Sequence, residues 1–252
     1  MSKHLWIWAI AVAALCLVLS CSKSTRNEAG KVDITSSPVE GTPKENEEAE
    51  LIALCLSGQL VAPDDLYAQV LTDLASIRSA FGESLDSVVQ ITFWPHWVPG
   101  CLVIGFDDTT VAKIRAGEYH DWDDLNEQYG LESLDTSMIS WLGFVRLDFI
   151  GRLHPYRLRE VYAALPGVRA ASPNGIRGDG PNVYARETTS GMTYLFRKGW
   201  NDCPSGCIDN AYWYFVFQAG QPQLVGCWPE YDGSPQPSWW EEARLNKENY
   251  CP

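Results

Sequence analysis

The chain has 252 residues and a formal net charge of −13, with 32 acidic side chains against 19 basic ones. That excess opposes a polyanionic partner and offers no basic patch to an anionic membrane, so nucleic-acid binding is excluded as the working class. At 46% apolar residues, there is enough hydrophobic surface for one large or two small packed domains.

The first residues read as an export signal. Met1 to His4 carry one lysine, and Leu5 to Leu19 form an apolar run that includes Trp6, Ile7, Ile10, Leu15, Leu17 and Val18. A membrane-spanning helix needs about 20 apolar residues, so this shorter run fits the apolar region of a signal. It ends in Val18-Leu19-Ser20-Cys21 and turns polar at Ser22-Lys23-Ser24. This ending resembles the lipobox of bacterial lipoproteins, in which a small residue precedes the cysteine that is acylated and becomes the new amino terminus. The resemblance implies removal of residues 1–20, fatty chains such as palmitate on Cys21, and a lipid-anchored place in the cell envelope. Each acyl CH₂ buried in a bilayer contributes roughly 0.8 kcal/mol, so several chains hold a protein stably where one does not. The rival reading is an ordinary signal with an incidental cysteine, or an uncleaved anchor. Cys16 lies within the apolar run and leaves with it.

Residues 21–50 are expected to form a disordered tether. Ser22 to Glu50 contain almost no large apolar side chains and end in Glu45-Asn46-Glu47-Glu48-Ala49-Glu50. Such a segment buries too little apolar surface to offset its ordering entropy.

Residues 51–175 read as an α+β domain with an N-terminal helix. Pro63 starts a helix to Phe81, with Leu66, Val70, Leu74, Ile77 and Phe81 at helical spacing and Gly82 as the stop. Val88 to Trp94 alternates as a strand would, and Pro95 to Gly100 breaks the pattern. Cys101 to Phe106 is a continuous apolar run typical of a buried strand. Asp107-Asp108-Thr109-Thr110 offers capping chemistry for a short helix through Ile114. A helical segment follows from His120 to Tyr129, closed by Gly130, with room for a strand at Leu131 to Ser133. Trp141 to Ile150 reads as a strand, Pro155 to Leu165 as a helix, and Val168 to Ser172 as a returning strand. This order predicts a ferredoxin-like split βαβ sandwich, two helices over an antiparallel sheet.

Residues 176–252 read as a smaller, cysteine- and tryptophan-rich β unit. Met192 to Lys198, Tyr212 to Phe217 and Leu224 to Trp228 are expected as antiparallel strands. Ser238 and Glu241 suggest a capping box for a final helix from Trp239 to Leu245. Cys55, Cys101, Cys203, Cys207, Cys227 and Cys251 remain after the leader, an even number that favours disulfides in an exported chain. Six cysteines allow 15 connectivities. Only Cys203 with Cys207 is singled out, because Pro204-Ser205-Gly206 forms a turn between them. A redox motif usually has two intervening residues, and a zinc site needs further nearby ligands.

Three stretches together resemble the propeptide-inhibitor domain of subtilisin-like proteases. Val98-Pro99-Gly100-Cys101-Leu102-Val103-Ile104-Gly105-Phe106 looks like its first strand. Leu125-Asn126-Glu127-Gln128-Tyr129-Gly130-Leu131 is similar to the end of its first helix. Leu165-Pro166-Gly167-Val168-Arg169-Ala170-Ala171-Ser172-Pro173-Asn174 matches its helix end, last strand and exit. The resemblance covers residues 97–174 and implies a four-stranded sheet with two helices, whose sheet packs on a protease. It departs from the family after Asn174, where the remaining 78 residues hold none of the Asp, His and Ser triad motifs. What carries over is a free-standing module that presents Val168, Arg169, Ala170, Ala171, Ser172, Pro173 and Asn174 to another protein by strand addition.

Catalytic chemistry is hard to find. No Gly-x-Ser-x-Gly motif is present. His120 beside Asp121, Asp123 and Asp124 could hold a cation or poise an acid–base pair, but carboxylates at a helix start also favour its positive end. Asp179-Gly180 and Asp202-Cys203 make no calcium loop. Nine tryptophans follow the leader, and several cluster: Trp94 and Trp97, Trp200 with Trp213, then Trp228, Trp239 and Trp240. They pack a core or stack on sugars. The sequence therefore predicts a non-enzymatic, lipid-anchored binding protein without metal or cofactor, whose partner is a protease or another envelope protein. Carbohydrate or cell-wall binding through aromatics, or an enzyme with an unrecognised site, are the alternatives.

Overall fold

A computed structural model describes residues 43–174 and 178–248. The expected signal at residues 1–20, Cys21 and Cys251 lie outside the described residues. Helix α1 spans Pro43–Ser57 and α2 Asp64–Phe81. Pro63 stands before α2 in extended conformation, Asp64 and Asp65 sit at its positive end, and Arg78 lies in its last turn. The expected tether is corrected here, because Pro43 to Glu50 belong to α1 and Glu48 is buried. Composition reads Glu48 as solvated. In the fold its carboxylate meets Arg78 Nη2 at 2.7 Å and accepts the Phe93 N–H at 2.9 Å. A buried charge needs such a full set of partners, and sequence does not display them.

The expected strand from Val88 to Trp94 is also corrected. Asp86–Val89 is a single helical turn, α3, and the chain then runs irregularly to Gly100. Val88, Ile91 and Phe93 are buried against the α1–α2 layer, while the Arg78 guanidinium donates to the carbonyls of Val89 and Ile91. The alternation is real, but a side chain replaces the neighbouring strand.

Four strands form the first sheet: β1 Cys101–Phe106, β2 Leu131–Asp135, β3 Phe144–Phe149 and β4 Val168–Pro173. Their spatial order is β2-β3-β1-β4, every neighbour antiparallel. Between them lie α4 Asp108–Ala116, α5 Asp123–Gln128, the short α6 Ile139–Leu142 and α7 Pro155–Tyr162. The Asp107 carboxylate accepts the Thr110 N–H and caps α4, and Gly117 ends it with φ at 70°. Strand β3 begins at Phe144, because Ile139–Leu142 turns helically before it. Leu102, Ile104, Phe106, Val145, Leu147 and Phe149 build a core with Leu158 and Tyr162 of α7 and with Tyr119 and Trp122.

The second sheet is a four-stranded antiparallel meander: β5 Asn182–Thr188, β6 Gly191–Trp200, β7 Asp209–Gln218 and β8 Gln221–Trp228. Strand β5 was not foreseen. Both faces are covered. Val183, Tyr194, Phe196, Trp213 and Phe215 meet α1, α2 and the chain around Phe93. Tyr184, Leu195, Tyr212, Tyr214 and Trp228 meet Trp239, Trp240 and Ala243 of the final helix, α8 Trp240–Glu248, and the residue before it. Polar rivets fix each layer. Tyr194 donates to Asp73 of α2 at 2.8 Å, and the fully buried Asn246 amide of α8 donates to the carbonyls of Tyr184 and Thr193.

Packing thus groups residues before Trp97 with the second sheet, whereas a division at 175 assigns them to the first. The first-sheet unit is set into the chain between α1–α2 and the sheet those helices cover. Its two ends run side by side, with the Val98 N–H donating to the Asn174 carbonyl at 3.2 Å. Trp94 and Asn182 exchange reciprocal hydrogen bonds of 2.8 and 3.0 Å just beyond.

Cys203 and Cys207 pair as expected, and Cys55 and Cys227 each take part in a disulfide. Cys101 corrects the even-number argument, being a buried free thiol. Among the described residues no helix is long and apolar enough to cross a membrane.

His154 sits where the two units meet, 3% exposed, with its ring 5.6 Å from that of Trp97. Burial pulls its imidazole below the ordinary value of 6.5, the charge of Arg157 adds to this, and Glu160 opposes it. The unfolded chain therefore binds this proton more readily than the folded one. Stability from this group is full above about pH 6.5 and declines as pH falls through that value. Thermal melts between about pH 7.5 and 5 should show Tm falling more steeply for the wild type than for His154→Gln, and parallel curves would refute the assignment.

Candidate interaction surface

Strand alternation gives the first sheet two unlike faces. Leu102, Ile104, Val145 and Leu147 point into the helical layer and are fully buried. Their neighbours form cross-strand rows on the other face. One row runs Ser172, Val103, Arg146, Asp135; another Asn174, Cys101, Asp148, Ser133; a third Ala170, Gly105, Phe144. Ser133, Asp135, Ala170 and Ser172 are exposed, while Val103, Phe144, Arg146 and Asp148 are half-buried. The helices of this unit lie on the opposite face, and among the described residues this one is left bare apart from the buried Cys101 and Gly105.

Its side chains are held in place. Arg146 donates to Asp148 Oδ1 through Nε at 3.0 Å and Nη2 at 2.7 Å, and Ser133 Oγ donates to Asp148 Oδ2 at 3.2 Å. Burial opposes the Asp148 charge, but Arg146 with Cys101 and Ser133 prevails and lowers its pKa. Burial pushes the Cys101 thiol up, with Asp148 adding to the effect, so it stays protonated at neutral pH and is a poor nucleophile. The Asn174 amide donates to Cys101 Sγ at 3.1 Å. The Phe144 ring lies across Gly105, where a Cβ would come within 2.6 Å of it. An aromatic laid over a strand glycine gives a flat apolar spot on an otherwise polar face.

The expected contact strand, Val168 to Asn174, falls at the sheet edge as β4 and the residue after it. Asn174 donates its N–H to the Cys101 carbonyl, which with the register turns Ser172 and Ala170 toward β1 and leaves Ala171 and Pro173 facing outward. Pro173 has no N–H, and Arg169 falls at the irregularity opposite Gly105 and Phe106. The open edge is therefore blunted to a short stretch around Ala171. Sequence reasoning found this strand and missed the bare face, whose signal is the polar alternation of Arg146 and Asp148 inside an apolar run.

The other candidates separate. His120 Nδ1 lies 2.8 Å from Asp123 Oδ2, the two side chains 72% and 57% exposed, with Asp123 and Asp124 in the first turn of α5. That is the helix-start arrangement, and no group of three metal-ligating side chains occurs among the described residues. Of the tryptophans, Trp97, Trp122, Trp213 and Trp228 are buried, and Trp200, Trp239 and Trp240 half-buried. Trp94 and Trp141 are exposed, and Trp94 donates its Nε1–H to the Gly178 carbonyl.

A further polar cluster underlies the Cys203–Cys207 loop. Arg197, 4% exposed at its side chain, forks onto Asp179 with two bonds of 2.6 Å and donates to Asn210 at 2.8 Å. The N–H groups of Cys207 and Gly180 also donate to Asp179. Burial works against the Asp179 charge, yet the Arg197 fork and these N–H groups overcome it and hold the carboxyl well below the usual range.

Compared with protein-family models, curated proteins and solved structures, the chain matches none of them.

Asp179→Ala strands the Arg197 charge in the fold and should cost about 3–5 kcal/mol, read from urea denaturation, whereas Asp179→Asn should cost less. Equal effects of the two substitutions would show that the ion pair contributes nothing beyond its hydrogen bonds.

Proposed function

We propose that this chain is a lipid-anchored envelope lipoprotein that binds a partner protein through the bare face and outer edge of its first sheet, with a subtilisin-like protease as the partner. The bare face carries the proposal: an apolar spot of Val103 and Phe144, ringed by the Arg146–Asp148 pair and exposed small residues. Small side chains at Ala170 and Ser172 let another surface approach closely. A half-polar face with fixed charges favours a specific, dissociable partner over a permanent one. Support for the arrangement comes from the strand order β2-β3-β1-β4, which is what a ferredoxin-like split βαβ sandwich requires. The resemblance of residues 97–174 to propeptide inhibitors points to the same side of the sheet. Anchorage rests on the Val18-Leu19-Ser20-Cys21 ending of the leader. Contact by the face is favoured over strand addition alone, since Pro173 blunts the edge.

Inhibition assays of the exported chain against a subtilisin-like protease test the partner. Binding is expected at micromolar concentration or tighter, weakened at least tenfold by Val103→Lys or Ser172→Arg without loss of Tm; no inhibition at high micromolar concentration removes the protease. Mass spectrometry of the native amino terminus tests the anchor separately. It should find acylated Cys21, with Cys21→Ala releasing the chain from membranes, and an unmodified terminus beyond Cys21 overturns that part.

A further inference from the structure

We infer that the Cys203–Cys207 disulfide is a redox lever on Asp179, so that reduction by a dithiol releases residues 178–182 from β6. This stands independently of the partner proposed above. The two cysteines flank the one-turn 3₁₀ segment Cys203–Ser205 in the β6–β7 loop. Apart from the disulfide, that loop is held by its own hydrogen bonds, Asn201 donating to Asp209 and Ser205 Oγ to the Asp202 carbonyl among them. Asn201 and Asp202 have φ of 58° and 52°, and Ile208 is 71% exposed. Its backbone bonds run from Ser205 to Asp202, Gly206 to Cys203 and Ile208 to Asn201.

Cys207 has an inner contact as well. Its N–H donates to Asp179 Oδ2 at 3.1 Å. Its sulfur packs on Gly199, where a Cβ would come within 2.5 Å of it and 3.4 Å of Arg197 Nη2. Cys207 is therefore wedged between the β6 backbone and the buried ion pair.

Reduction begins when a thiolate of the dithiol attacks one sulfur, breaks the S–S bond and expels the other cysteine as a thiolate. The second thiol of the reductant resolves the mixed disulfide. The chain gains two electrons and two protons as Cys203 and Cys207 thiols, and the reductant leaves as its own disulfide. Two unbonded sulfurs must then separate to roughly 3.5–4 Å, the contact distance of non-bonded heavy atoms. Gly199 lies against the Cys207 sulfur, so that sulfur moves outward and carries the Cys207 N–H off Asp179. Asp179 loses one of the donors that offset its burial, and residues 178–182 loosen.

Hydrogen exchange with mass spectrometry on the whole exported chain reads this directly, with dithiothreitol as the dithiol and alkylation reporting which cysteines are reduced. Amides of residues 178–182 and 207 should exchange at least tenfold faster once Cys203 and Cys207 are alkylatable, while those of 101–106 and 144–149 stay unchanged. Cys203→Ala/Cys207→Ala, which has no sulfurs to push apart, should keep residues 178–182 protected with dithiothreitol as without it, separating this pair from the bonds at Cys55 and Cys227; loosening there in the reduced variant overturns the inference. Unchanged exchange at 178–182 with both cysteines reduced overturns the inference. Loss of protection everywhere at once also overturns it, because the pair is then a staple for the whole fold; should the variant not fold, the reductant titration alone decides.

Discussion

A sheet that is apolar on both faces must be covered twice. Strand β7 places Trp213 and Phe215 on one side and Tyr212 and Tyr214 on the other, all of them buried. Aromatics of this size each remove on the order of 150–250 Å² from water, so neither face tolerates solvent. The two covers come from opposite ends of the described chain, α1–α2 before the sheet and α8 after it. Everything else in the architecture accommodates that requirement, including the position of the first sheet as a unit set between a cover and what it covers.

The two sheets divide the labour. The second is closed, its layers pinned by the Asp73–Tyr194 and Asn246 bonds that satisfy polar groups inside the packing. The first is half open, with helices on one face and a row of small, polar and paired charged side chains on the other. Stability concentrates where both faces are buried, and accessibility where one is not. His154 and the Trp94–Asn182 exchange lie at the seam between them.

Much of the fold was legible because local physics and final context agreed. Cys101 to Phe106 is a strand in sequence and in structure, Asp107 caps the helix its chemistry announces, and Gly82 and Gly130 fall just past helices. Where reading failed, a distant partner had changed the meaning of a residue. Glu48 and Asp73 are acidic side chains that the fold buries, made tolerable by Arg78 and Tyr194 from far along the chain. Val88 to Trp94 alternates like a strand, but Arg78 takes the carbonyls that a neighbouring strand would have bonded. Strand β5 escaped notice because Asn182, Arg186 and Glu187 look solvated until Trp94 and Asn246 claim the first two. Cysteine parity misled at Cys101, whose sulfur accepts from the Asn174 amide. Of the candidate site, the edge strand was readable and the face was not, since a face exists only once the register is fixed.

Side-by-side termini of the first-sheet unit have an evolutionary corollary. With Val98 and Asn174 joined by one hydrogen bond, the host made of the helices and the meander carries the first-sheet unit on two neighbouring strands of chain, the arrangement in which insertions are best tolerated. The guest can thereby vary along its outer face and edge without disturbing the aromatic host, while its α7 end stays tied to that host through Arg157 on the Gly58 carbonyl and the His154 N–H on that of Leu60.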